Sequence, residues 1–163
     1  MIRPFDRQRQ GADSALATIE EAVGFFNSTA FAKSPSGTFL ASIDSGGIGI
    51  RLEATQVQAV AAFLRVLNAL ENIRATTEIQ NFVLDVRRHE VAESLLNLAL
   101  KDQHDVVDVL DGAGLHPDAA RHMRKAIDLT RLAKNTPGRG ARNALIRQAL
   151  GEQRAARGDL VQD

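Results

Sequence analysis

From Ala54 the chain alternates apolar and polar positions with a helical period. Val57, Val60, Ala61, Leu64 and Leu67 fall on one stripe, widened by Phe63, Val66 and Leu70, the spacing of a helix that buries one face. This helix either runs on through Glu71-Asn72-Ile73-Arg74 or breaks near Asn68. Ile79, Phe82, Val83 and Val86 mark another helix. Val91, Leu95, Leu98 and Ala99, continued by Val106, Val107 and Leu110, mark the next. Gly112 and Gly114 suit its stop, and His116-Pro117-Asp118 sets a proline and an acid in the first turn of a further helix. That helix carries Ala119, Met123, Ala126, Thr130 and Ala133 at heptad-like spacing. After the turn Asn135-Thr136-Pro137-Gly138-Arg139-Gly140, a last helix carries Ala141, Leu145, Ala149 and Leu150 and fades into Gly158 and a polar tail.

The first third of the chain is more broken. Residues 1–15 are polar and predict an irregular start. Thr18-Ile19-Glu20-Glu21 fits a capping box that opens a helix with Ile19, Ala22, Val23 and Phe26 inward, stopping near Asn27-Ser28. Residues 28–51 are punctuated by Ser34-Pro35-Ser36-Gly37 and Ser45-Gly46-Gly47 and predict an irregular connection. The helices lack a repeat signature of roughly 34 or 40 residues. The expected architecture is mainly α: a short helix-loop-helix segment over residues 1–73, then an antiparallel helical bundle over residues 74–163.

Composition supports helices. Aromatic residues make up 4% of the chain, seven Phe with no Trp or Tyr, so Leu, Val, Ile and Ala must form the core, and Leu and Ala lose little on entering a helix. A net charge of +0 argues against a dedicated nucleic-acid binder. The balance hides an asymmetry: Arg121, Arg124, Lys125, Arg131, Lys134, Arg139, Arg142, Arg147, Arg154 and Arg157 face only Asp128 and Glu152 in that stretch. Glu78, Asp85, Glu90, Glu93, Asp102, Asp105, Asp108 and Asp111 precede them. Basic and acidic helices packed side by side would trade weak rim ion pairs. The sharper alternative is a surface at Arg121, Arg124, Lys125 and Arg131 for a protein or anionic partner. Without interleaved aromatics or a helix-turn-helix, the first reading is preferred and nucleic acid is disfavoured.

No stretch approaches the roughly 20 apolar residues that span a bilayer, and the opening residues have no apolar core of a secretory signal. A chain expressed as written is therefore expected in the cytoplasm, away from membranes.

Candidate chemistry is sparse. The chain has no cysteine, which removes disulfides, thiolate metal sites, thiol nucleophiles and the Cys-x-x-Cys-His attachment of c-type haem. Gly46-Gly47-Ile48-Gly49 lacks the spacing and lysine of a phosphate loop. His104 and Asp108 share a helical face and could hold a metal, yet Asp102, Asp105, Asp108 and Asp111 equally form a solvated acidic face with Val106, Val107 and Leu110 inward. His89 and His122, beside Arg88 and Arg121, read as surface residues. No serine has a nucleophile-elbow context. No catalytic, cofactor-binding or metal residue is assigned, so catalysis by this chain alone has no residue set behind it.

Two stretches carry a family resemblance. Ala17-Thr18-Ile19-Glu20-Glu21-Ala22-Val23-Gly24-Phe25-Phe26-Asn27-Ser28 resembles the T-L-E-E-A-V-x-F-Y-N segment of bacterial dihaem cytochrome c peroxidases. Ile50-Arg51-Leu52-Glu53-Ala54-Thr55 through Ala62-Phe63-Leu64-Arg65-Val66-Leu67-Asn68 is similar to their closing helix. The likeness covers residues 16–73. It implies the C-terminal scaffold of a periplasmic electron-transfer or peroxidase protein. Haem c would lie on an upstream polypeptide, against which Phe63 and Leu67 are the candidate packing residues. The family's lead-in is reduced to Pro4-Phe5, and Glu53-Ala54 replaces its usual Thr-Pro. The alternative is a non-enzymatic interaction module formed by the bundle. The isolated chain, secreted alongside haem-attachment machinery, should give no haem-stained band on a denaturing gel; such a band at 17.7 kDa would refute the argument from cysteine.

Overall fold

The stripe that starts at Val57 does not break at Asn68. The computed structural model describes residues 19–43, 52–114 and 116–161, and here Ala54–Asp85 (α4) is one helix of 32 residues. No glycine or proline interrupts it, so nothing local stops propagation. Among the described residues there are seven helices and no strand. The others are Ile19–Phe26 (α1), Thr29–Ala32 (α2), Pro35–Ile43 (α3), His89–Ala113 (α5), Pro117–Lys134 (α6) and Arg139–Val161 (α7). The fold is mainly α and ends in a helical bundle. It divides into two compact units, residues 2–65 and 66–163.

In the first unit, the segment expected to be irregular folds as α2 and α3. Ser28 caps α2 by accepting the Phe31 N–H at 3.1 Å. Ser34 accepts the Gly37 N–H at 3.1 Å and donates to Phe31 O at 2.6 Å. Ser-Pro-Ser-Gly is thus a capped helix start, with Pro35 where its missing N–H costs nothing. Gly37 is required: a Cβ there would stand 2.0 Å from Phe31 O. Phe25, Phe26 and Phe31 meet edge to face at 4.9–5.8 Å. Asn27 clamps the main chain of Leu52 from both sides, donating to its carbonyl and accepting from its N–H, each at 2.7 Å. The capping residue Thr18 and the glycine loop at 45–50 lie outside the described residues.

The second unit is a bundle of α5, α6, α7 and the later part of α4. Turn chemistry sets its corners. Gly114 ends α5 in the left-handed region at φ 61°, its N–H on Asp111 O at 3.0 Å. Pro117 opens α6, with Asp118 in the first turn and Arg131 and Lys134 in the last, each on the favourable end of the helix dipole.

Buried positions recur at a constant separation, the 50 residues between Gln80 and Thr130. Ala69 and Ala119, Ile73 and Met123, Val83 and Ala133, Leu96 and Ile146, Ala99 and Ala149, Gln103 and Gln153, and Leu110 and Leu160 are all buried at that spacing. The hairpin α6–α7 therefore repeats the hairpin formed by α4 and α5, a regularity longer than the roughly 34- or 40-residue period of common helical repeats. Contacts also survive exchange of the hairpins. Gln153 Nε2 donates to Gln80 Oε1 at 3.1 Å, and the counterpart pair is joined by Gln103 Nε2 donating to Thr130 Oγ1 at 3.2 Å. This is the mark of an approximate twofold relation.

Those glutamines lie in a polar layer between two apolar clusters. On one side are Ile73, Val106, Leu110, Met123 and Leu160 with their neighbours. On the other are Val83, Leu96, Ile146 and Leu150 with theirs. In the layer, Thr130 Oγ1 also accepts from Gln80 Nε2 at 2.7 Å and donates to Ala126 O at 2.7 Å. Gln153 Oε1 accepts from Thr77 at 2.8 Å.

The heptad-like α6 stripe, Ala119 through Ala133, is buried as expected. Elsewhere the inward face differs. Val91, Leu98 and Phe82 are exposed, while Ala92, Leu96 and Val83 are buried. Ala141 is exposed, and Arg142 and Asn143 are buried in its place. The last helix does not fade at Gly158, because Ala156 and Leu160 are buried and hold it to Val161.

Replacing Thr130 with Val keeps the shape and removes the acceptor of two buried amides. It should cost about 1–3 kcal/mol per amide left unpaired, comparable to the about 2–5 kcal/mol expected for Met123→Ala in the apolar cluster. Urea unfolding measures both; an unchanged midpoint for Thr130→Val would show that the layer does not bear on stability.

Candidate functional site

The residues singled out in the sequence fall into separate places. Phe63 and Leu67, one turn apart on α4, are 61% and 43% exposed, and Val60 is exposed on the turn before them. The inward face of that stretch belongs to Ala61, which is fully buried, and half-buried Leu64. Val60, Phe63 and Leu67 thus face outward while Ala61 and Leu64 face inward.

The basic face of α6 is tied to its own carboxylates. Arg124 Nη2 reaches both carboxylate oxygens of Asp111 on α5, at 2.5 and 2.6 Å. Arg121 pairs with Asp118 and Arg131 with Asp128, each at 3.1 Å and within the helix. Of these three, the Arg124 pair crosses between the basic and acidic helices. All three pairs are solvent-exposed, and such pairs contribute little stability. Lys125 is exposed between them.

The histidines separate too. His104 is exposed and its Nδ1 lies 2.6 Å from Leu100 O, so it sits on its own helix turn. His122 is not a surface residue: it is half-buried, with Nδ1 at 2.5 Å from Glu152 Oε2 and Nε2 at 3.9 Å from Asp159 Oδ2, both on α7. Nothing in the sequence points to Glu152 or Asp159, since 30 residues separate His122 from Glu152 and nothing local joins them. Among the described residues no three His, Asp or Glu side chains gather as a metal-ligand set, and no helix is long and apolar enough to cross a membrane.

A second unexpected cluster closes α4. The last carbonyls of a helix lack partners within it, and here the first turns of α7 supply donors. Arg139 Nη2 and Asn143 Nδ2 donate to Leu84 O at 3.2 and 2.9 Å, and Arg142 Nη2 donates to Val86 O at 2.7 Å. Arg142 is 1% exposed. Burial, then the neighbouring Arg139 charge, hold its guanidinium below the ordinary arginine value, and the carbonyl end of α4 offsets part of that cost.

Asp102 is the one described carboxylate with a clear shift. Partial burial, then the negative charge of Asp105, push its carboxyl above the usual aspartate range, and Lys101 opposes them weakly. No protein-family model, curated protein or solved structure matches the chain.

The raised Asp102 carboxyl means that the folded state holds its proton more tightly than the unfolded chain. Its ionisation therefore lowers stability as pH rises through the folded value, and the penalty is absent below about pH 4, where both states are protonated. Asp102→Asn should raise the melting temperature at pH 7 and lose that advantage in acid. A difference that grows toward low pH would refute the assignment.

Proposed function

We propose that this chain is a non-catalytic helical scaffold that packs through the outward apolar side chains of early α4 against a haem-bearing polypeptide of the cytochrome c peroxidase kind. The observation that carries the reading is the exposure of Phe63 and Leu67. They lie in the stretch that resembles that family's closing helix, and exposed apolar side chains grouped on one face mark a surface that meets a partner. With no cysteine the chain cannot attach haem c, so the haem and the redox chemistry belong to the partner, in a periplasmic setting.

A second reading has one observation in its favour. Residues 66–163 form a compact unit with two apolar clusters of their own, as an independent interaction module for a protein or anionic partner would.

Antibody raised against the chain distinguishes the two in cells that produce it. The scaffold reading expects the chain to co-purify with haem-stained polypeptide. It also expects Phe63→Asp with Leu67→Asp to abolish that association while leaving the bundle's melting temperature nearly unchanged. Recovery of the unsubstituted chain without haem protein would overturn the scaffold reading.

A further inference from the structure

The two hairpins are not equal at the polar layer. Gln153 Oε1, on α7, faces two hydroxyls, Thr77 at 2.8 Å and Thr76 at 3.3 Å. Thr76 also lies 2.9 Å from the carbonyl of Ile73 on its own helix. At the separation of 50 residues that relates Gln80 to Thr130, the counterparts of Thr76 and Thr77 are Ala126 and Ile127. Neither carries a hydroxyl. Gln103, the counterpart of Gln153, is 0% exposed, and its Oε1 has no hydrogen-bond partner.

Thr130 fixes which way the amide of Gln103 points in this arrangement. Thr130 spends its single proton on Ala126 O, so its oxygen can only accept. Gln103 must present Nε2 to it and turn Oε1 away. A buried carbonyl oxygen without a donor is rare in folded proteins and is commonly met by an ordered water.

We propose that one water molecule binds at Gln103 Oε1, in the place that the twofold relation assigns to the Thr76 hydroxyl. Gln103 Oε1 is a buried acceptor with no donor, and water is a small neutral donor that needs no side chain to carry it. Ala126 lacks the hydroxyl that Thr76 presents to Gln153 at the related position.

Water-to-protein magnetisation transfer on the isotope-labelled full chain tests this. Cross-peaks from long-lived water to the Ala126 methyl group are expected in the unsubstituted protein. Gln103→Leu, which removes the acceptor and keeps the Ala126 methyl group, should erase the signal. Ala126→Ser, whose hydroxyl supplies the missing donor, should raise the melting temperature by a few degrees. Absence of the cross-peak in the unsubstituted chain, its persistence in Gln103→Leu, or a lowered melting temperature in Ala126→Ser overturns the proposal.

Discussion

A threonine hydroxyl has one proton to give, and Thr130 gives it to the backbone of its own helix. The orientation of the polar layer follows from that. Its oxygen can then only accept, so Gln80 and Gln103 both turn their amide nitrogens toward it. Gln80 consequently offers its oxygen to Gln153, whose own oxygen is left for Thr77. One side-chain orientation is passed across all four helices of the bundle. In a core built largely of alanine and leucine, a helix shifted by a heptad would still meet apolar neighbours. A shifted glutamine would be buried with no partner, which costs far more than a poorly filled apolar contact. The layer therefore selects the register, as single polar residues do in coiled coils.

The twofold relation between hairpins is most informative where it fails. Interior positions repeat, whereas Arg142 and Asn143 correspond to Ala92 and Glu93, and His122 and Glu152 to Asn72 and Asp102. Besides Thr76 and Ala126 in the central layer, these departures sit at the rim and at the closing end. At that end Arg142 and Asn143 of α7 tie down the close of α4, whereas Ala92 and Glu93, their counterparts on α5, have no guanidinium or amide to offer α6.

Much of this fold was legible in the sequence. The helices of the second half carry their own punctuation: Gly114 in a left-handed cap, Pro117 at a helix start, and a clean apolar period through Ala119, Met123 and Ala126. What misled was size. Val91, Leu98 and Phe82 invite burial, but the buried positions beside them are Ala92, Ala99 and Val83. Gly158 suggests an ending because glycine weakens a helix, yet burial of Leu160 outweighs that cost. Less of the candidate site was visible. Gln80, Gln103 and Gln153 look like solvent-facing residues until the helices are brought together. The His122–Glu152 pair spans two helices without a local motif. The hairpin correspondence leaves few identical residues outside the core, so it emerges from burial rather than from letters.

The closing of α4 by Arg139, Arg142 and Asn143 bears on how the protein is made. Gln153 meets Gln80 across 73 residues of sequence, and Arg142 reaches Val86 across 56. While the polypeptide emerges from the ribosome, α4 and α5 have only each other, with Thr76, Thr77 and Gln80 facing water and the carbonyl end of α4 open. Domains complete their folding as units, and this one cannot do so until its final helix has been synthesised. The nascent bundle must therefore remain soluble with half of its interior showing. The polar groups of the central layer suit that interval, since they stay hydrated until the partners that will bury them arrive.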